Sequence, residues 1–407
     1  MKKYLREYYY RQIEGFLRSD MIKVITGIRR CGKSSFLESV MDKLISDGID
    51  SKDIIYLPLD KRGYKNISTP EQLEQAIEER LTDNNFKYLF IDEIQNVKGF
   101  ETVVNAFREE DNFSIFITGS NSYLLSGELV TKLTGRYVEI EMFPLNFREY
   151  IDMKKYLGKP VNNELSEEFL EYLQYGGFPE TLKFDKNDDK ETYIRNVVTQ
   201  IIDKDVRQHQ HIRNRLVFER IMRYIISNYG ATTNISNIVT YLKNTEKISI
   251  KPETLFRYLQ ILERAKIIYC CPRFDVKSKK SLRGEQKYYL ADLGIYMAYN
   301  PDTRISYGQA LENVMFNYLT SRGYKMSVGR IGKLECDFIT RTNQDYYYLQ
   351  ISQTIADQHT EEREYSVFRH IRDNYPKYLF TMDTLLQHRD GVKHENIYKF
   401  IAEDKKL

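Results

Sequence analysis

Three observations predict that this chain folds as an α/β protein layered around a mostly parallel sheet. A glycine-rich turn, Gly27-Ile28-Arg29-Arg30-Cys31-Gly32-Lys33-Ser34, joins the apolar run Met21–Thr26 to the helix-like stretch Ser35–Met41. A second apolar run, Tyr88-Leu89-Phe90-Ile91, ends on two carboxylates, Asp92 and Glu93. Strand and helix patterns alternate from residue 21 to 145, with strands near 22–26, 53–59, 87–91, 113–118 and 137–142.

The first element carries the most chemistry. Strand, then G-x-x-x-x-G-K-S, then helix is the phosphate-binding loop in its proper context. Gly27 and Gly32 permit a tight turn that gathers backbone N–H groups, and the helix beyond points its positive end at them. The backbone of Gly27, Arg30, Cys31, Gly32, Lys33, Ser34 and Ser35 is the expected cradle for ATP. Lys33 is expected to reach the β- and γ-phosphates and Ser34 to ligate Mg²⁺. The bland alternative is a chance match in a loop that contains glycine and lysine.

The second strand weakens that alternative. Four apolar residues make a short buried strand, and ligands in open α/β sheets bind beyond the carboxyl ends of strands. Asp92 is expected to hold the Mg²⁺ that Ser34 touches, and Glu93 to orient or deprotonate a water. The competing role for Asp92 is a helix N-cap. Phe113–Thr118 is the next strand and runs into Gly119-Ser120-Asn121-Ser122, where Ser120 and Asn121 are candidates to sense the γ-phosphate. Arg136 opens the strand Tyr137–Met142 and is a candidate charge-stabilising arginine for its own site or a neighbour's. An ordinary surface arginine fits that position equally well.

Beyond residue 145 the pattern becomes helical, broken at Gly176-Gly177-Phe178-Pro179. Residues 212–275 have the cadence of a winged helix-turn-helix. A helix runs near 212–228, a second follows Thr232-Thr233-Asn234, and a third spans Thr254 to Leu262. Ile267–Cys270 and the basic Lys277–Lys287 loop would form the wing. If the third helix enters a major groove, Lys251, Thr254, Arg257 and Tyr258 face DNA. From Asp205 to Lys287 there are 17 Lys/Arg and 7 Asp/Glu, an excess of ten positive charges in a chain whose net charge is only +3. A basic middle of this kind makes duplex DNA a candidate partner. The alternative is a protein-binding or internal module. The last segment reads helix, three strands, helix, strand.

At 407 residues the chain is too long for one ordinary core. The expected domains are 1–145, 146–211, 212–300 and 301–407. The four cysteines show no C-x-x-C spacing, which argues against structural zinc or a disulfide framework. No apolar run reaches the length of a membrane span, and Met1–Tyr8 lacks a secretory apolar core. The expectation is a cytoplasmic protein without a membrane partner. The histidines form no cluster, and solvated or core roles are expected for them.

Taken in order, these motifs resemble those of prokaryotic AAA-superfamily ATPases whose C-terminus is a domain of unknown function with a restriction-endonuclease-like fold. The resemblance rests on Thr26–Ser34, Ile91–Gln95, Thr118–Ser122, Leu133–Arg136, Pro144–Glu149, Gly176–Glu180 and Lys287–Asp292. It implies ATP binding and hydrolysis with Asp92, Glu93 and Arg136 as functional residues. A protein partner and homo-oligomerisation are open. It also implies an acidic residue on the first C-terminal helix (Glu312), an Asp on the second strand (Asp337, beside Glu335) and E-x-K on the third. Here Gln350 and Ser352 stand where that carboxylate and lysine belong. An amide is a weak magnesium ligand, and without the lysine the developing charge loses its cationic partner. The C-terminal domain is therefore expected to be a non-catalytic binding or docking module.

Overall fold

The structure, a computed structural model, describes residues 3–119, 133, 135–206, 212, 214–275, 278, 280–300, 305–342 and 345–407. Ser120, Asn121, His209, His211 and Lys277 lie outside the described residues. The chain divides into two compact units, one of Met1–Met142 with Ile201–His209, the other of Phe143–Gln200 with Gln210–Leu407.

In the first unit five parallel strands lie in the order β2-β3-β4-β1-β5. They are β1 (Ile22–Gly27), β2 (Ile54–Pro58), β3 (Lys87–Asp92), β4 (Phe113–Thr118) and β5 (Tyr137–Met142). β1, β3 and β4 are buried along their whole length, which explains why their sequences read as continuous apolar runs instead of alternating ones. Helices 70–78 and 100–109 cover one face through Leu73, Ile77, Val103, Val104 and Phe107. Thr69 and Gln72 close a capping box at the start of helix 70–78, with Pro70 in its first turn. Lys87 is completely buried at the start of β3, and Asp53 and Asp83, each 2.6 Å away, replace its hydration.

The second unit opens with helices 147–156, 165–175 and 187–200. Helices 215–227, 235–244 and 252–264 follow, then the antiparallel hairpin β7 (Ile268–Asp275) and β8 (Lys280–Leu290). A two-residue strand, β6 (Thr232–Thr233), pairs with β8. Helices 293–299 and 307–321 lead to β9 (Lys325–Ile331), β10 (Leu334–Arg341) and β11 (Tyr346–Ile351). Helix 358–369, β12 (Lys377–Thr381), β13 (His388–Arg389), β14 (Val392–Asn396) and helix 397–402 complete the chain. β7 pairs in parallel with β9, Arg273 opposite Val328 and Asp275 opposite Arg330. One nine-stranded sheet, β13-β14-β12-β11-β10-β9-β7-β8-β6, therefore spans both sides of residue 300.

Three motifs scattered along the sequence meet inside this second unit. The Asp292 carboxylate accepts from the Gly177 N–H at 2.6 Å and from the Gly294 N–H at 2.9 Å, capping helix 293–299. Gly177 returns its carbonyl to the Leu145 N–H at 2.8 Å. A Cβ on Gly176 would strike the Asp292 carboxylate, and one on Gly177 the Leu145 carbonyl. The two glycines are thus required by close approach.

Candidate nucleotide-binding site

β1 ends at Gly27, whose φ of 139° suits glycine alone, and a Cβ there would collide with the Met142 carbonyl on β5. The loop turns through Arg30 at φ 69° and Gly32 at φ 106°. Gly32 is the N-cap of helix 33–46 and no side chain caps that end. The first helical bond runs from the Phe36 N–H to the Gly32 carbonyl at 2.9 Å, so the N–H groups of Gly32 to Ser35 lie ahead of it. Such an end favours an anion.

Lys33 is buried, and its ammonium donates to the carbonyls of Gly27 at 2.9 Å and Ile28 at 3.3 Å. It forms no ion pair with a carboxylate among the described residues. A buried cation satisfied only by neutral carbonyls retains its appetite for an anion. Cys31 is fully buried beneath the loop. Burial pushes its thiol up, and its carbonyl accepts from Arg6 at 3.3 Å. Arg30 and Ser35 are exposed.

Register brings the other functional side chains to the same end. Tyr56 and Pro58 of β2 lie opposite Phe90 and Asp92 of β3. Asp92 is 2 % exposed, and Thr118 at the end of β4 donates to its Oδ1. Burial raises the Asp92 carboxyl, hydrogen bonds from Thr118 and Ser34 oppose that rise, and the charges of Glu93 and Asp60 add to it. The Tyr56 hydroxyl is buried without a well-aligned hydrogen-bond partner, beside the negative charge of Asp92. A buried acid, a hydroxyl bonded to it and the added negative charge of Glu93 and Asp60 make a setting suited to a divalent cation. Ser34 and Asp92 fit a magnesium ion whose remaining ligands are phosphate oxygens and water. Glu93 follows in the left-handed region, φ 57° and ψ 47°. Its N–H donates to Thr118 Oγ1 at 3.1 Å and its Oε2 accepts from Gln95 Nε2.

Lys33, Ser34, Asp92 and Glu93 thus gather at the carboxyl ends of β1 and β3. Arg136 does not join them. It precedes Tyr137, which pairs with Ile22 at the opposite end of β1 from Gly27, about 17 Å of strand away. There it is exposed, 3.9 Å from Glu109. Thr118, Gln95 and Tyr56 were not anticipated. The available signal was register: Thr118 and Asp92 end neighbouring strands.

Two further groups bear on the expectations. On helix 252–264, Tyr258 is buried, edge-on to Phe218 at 5.2 Å, so it cannot face DNA as its position suggested. Phe256 is 48 % exposed in its stead. Lys243, Lys251 and Arg257 are exposed and form no ion pair among the described residues, while Thr254 is half-buried. In the C-terminal part, Lys287 reaches Glu312 and Glu335, each at 3.0 Å, and Tyr289 donates to Glu312 at 2.8 Å. Gln350 accepts from the Asp337 N–H and donates to Glu364, both at 2.8 Å. Asp337 accepts from the Ile351 N–H at 2.7 Å, and burial, then the charge of Glu312, raises its carboxyl. The acids are tied up by a lysine from β8 and by backbone. Among the described residues no helix is long and apolar enough to cross a membrane.

A family described as an AAA domain matches residues 19–151, and one described as a domain of unknown function (DUF8612) matches residues 166–305. An uncharacterized protein of Haemophilus influenzae is 35% identical over 377 residues, covering 92% of this chain and 92% of that protein. An uncharacterized protein of Methanocaldococcus jannaschii is 32% identical over 321 residues, covering 77% of this chain and 70% of that protein. Among solved structures, a Walker-type ATPase of Pyrococcus abyssi has a TM-score of 0.52 at 18% identity, over 74% of this chain and 98% of that one. At that identity the likeness speaks for the fold alone.

Proposed function

The chain carries an AAA domain at residues 19–151 and belongs to one family with the uncharacterized Haemophilus influenzae protein, and from that premise we propose that it is a magnesium-dependent ATPase acting as a nucleotide-driven switch. The observation that carries this reading is Lys33, a buried ammonium held only by carbonyls at an uncapped helix end, with Asp92 and Glu93 at the end of β3. The cradle N–H groups and Lys33 bind and orient the phosphates. Ser34 and Asp92 hold the metal, which when bound neutralises charge on the transferring phosphoryl group. Glu93 orients the attacking water and takes its proton. Ser120 and Asn121 sense the γ-phosphate. Arg136, remote from its own site, serves the site of a neighbouring copy, which makes a homo-oligomer part of the reading.

The test is ATP turnover by the purified protein beside Glu93→Gln and Lys33→Ala. Glu93→Gln should lower turnover by about 100-fold or more while still binding nucleotide. Lys33→Ala should weaken binding itself. Wild-type turnover in both variants would end the assignment.

A second reading is favoured by the exposed cations Lys243, Lys251 and Arg257 around helices 235–244 and 252–264. In it, those helices and the β7–β8 hairpin form a winged helix that meets duplex DNA, and nucleotide occupancy is the signal. Affinity for duplex DNA should then fall steeply with salt. No binding at low salt would sink this reading and leave a protein partner in its place. In both readings the C-terminal strands form a restriction-endonuclease-like module without catalysis, since Gln350 and Lys287 occupy the acids.

A further inference from the structure

The nine-stranded sheet of the second unit ends in two very short strands, β13 at one edge and β6 at the other. Edges this short offer little backbone for strand pairing with another chain. Each edge carries an apolar feature made of side chains instead.

Beside β13, in the turn that follows β12, Leu385 is 86 % exposed and Leu386 43 %. The turn is braced at both ends. Asn396 Nδ2 donates to the carbonyls of Met382 at 3.2 Å and Asp383 at 2.9 Å. The Asp383 carboxylate accepts from Thr354 Oγ1 at 2.6 Å and from the Ile355 N–H at 2.9 Å. At the far end the Gln387 N–H donates to His394 Nδ1 at 3.0 Å. Seating the two leucines in a partner therefore costs little ordering entropy. Asp383 forms no ion pair among the described residues.

Beside β6, helices 215–227 and 235–244 enclose a groove of about 480 Å³. Gly230, between the first helix and β6, donates its N–H to the Tyr288 carbonyl of β8 at 2.8 Å, which ties the helix pair to this edge. Tyr224 and Tyr241 line the groove with ring centroids 4.8 Å apart, and Leu216, 72 % exposed, extends the apolar wall. The carboxylates of the rim are already paired, Glu219 with Arg215 at 2.5 Å and Glu246 with Arg220. Arg223 is not. Its guanidinium lies 5.5 Å over the Tyr299 ring and forms no ion pair among the described residues. Tyrosine and arginine are the residue types that carry much of the binding energy between proteins.

The two features complement each other. One presents rigidly held leucines beside an unpaired anion, and the other an open apolar groove beside an unpaired cation. Eight strand spacings, about 38 Å of sheet, lie between them, so one chain cannot fill its own groove.

We propose that the Leu385–Leu386 turn of one copy seats in the groove between helices 215–227 and 235–244 of the next copy, with Asp383 meeting Arg223. The contact uses a different surface on each copy, so it propagates head to tail and either closes into a ring or extends as a filament. All of its residues lie in the second unit. It is independent of nucleotide hydrolysis and of Arg136.

The experiment is sedimentation velocity of the full chain without nucleotide, over a concentration series. The wild type should associate. Leu385→Asp and Leu216→Asp, both at exposed positions, should each weaken association at least about tenfold and leave the unfolding midpoint unchanged. Mixed in equal amounts, these two variants should form a dimer and nothing larger, because one intact turn and one intact groove remain to meet. Arg223→Ala should still associate, with the salt dependence of association reduced. A wild type that stays monomeric at about 100 μM overturns the proposal and leaves the groove to a foreign segment. Association unchanged in either leucine variant overturns it as well, and so does a mixture of the two folded variants that remains monomeric.

Discussion

Asp292 illustrates what one residue can do at a distance from the nucleotide loop. Its carboxylate is buried with two backbone N–H donors and, among the described residues, no ion pair. Burial pushes it up to about 7, and the donations from Gly177 and Gly294 only partly oppose this. An acid whose folded value lies above its unfolded value of about 3.9 stabilises the fold most when protonated. Its contribution is complete below about pH 4 and is lost as pH rises through about 7. Asp292→Asn keeps the shape and cannot ionise. Its unfolding midpoint should therefore gain on the wild type between about pH 4 and 7 and level off above that. A difference that is flat across this range would show that another group sets the pH dependence. None of this was legible beforehand, since Asp292 lies 115 residues from Gly177 in sequence. The same limit hid the contacts of Thr118 and Gln95, which arise from register and from one hydrogen bond.

Elements were easier to foresee where their signal is local. β1, β3 and β4 lie within a residue of the expected spans because a fully buried parallel strand is a continuous apolar run. The turn from Gly27 to Ser34 was legible because its chemistry is contiguous. Helix 252–264 was legible as a helix but not in its orientation. Leu255, Tyr258, Leu259 and Leu262 make its buried stripe, and a tyrosine can serve on either side of such a boundary. Tyr258 therefore leaves the expected outer face, while Arg257 stays on it. For the DNA reading, Arg257→Ala is the informative change, and it should lower both affinity and the steepness of the salt dependence. Equal binding by wild type and Arg257→Ala at every salt concentration would remove that helix from the interface. Arg136 was correctly seen to open a strand. Which end of the sheet that placed it at depended on the parallel pairing of β5 with β1.

At the scale of the whole molecule, sheet membership is what the sequence withheld. Composition and motif order predicted several domains, and nothing local announced that β7 would pair with β9 across residue 300. The pairing is backed by side chains. Tyr289 on β8 stacks on Phe316 with centroids 4.6 Å apart, and Asn313 exchanges hydrogen bonds of 2.7 and 2.9 Å with the Leu290 backbone. A chain ending at residue 300 should therefore lose Tyr289 and Leu290 from its buried surface, bare one edge of β7 and aggregate. Soluble, monodisperse behaviour of that truncated chain on gel filtration would contradict the prediction.

The shared sheet also bears on inheritance. A recombination point between Leu290 and Lys325 would separate strands that need each other, leaving three strands on one side and six on the other. On structural grounds, the segment from Ile268 to Asn396 is expected to tolerate exchange only as one cassette. Divergence within it should come by substitution and by growth of its exposed turns, and exchange with foreign domains should fall outside its limits.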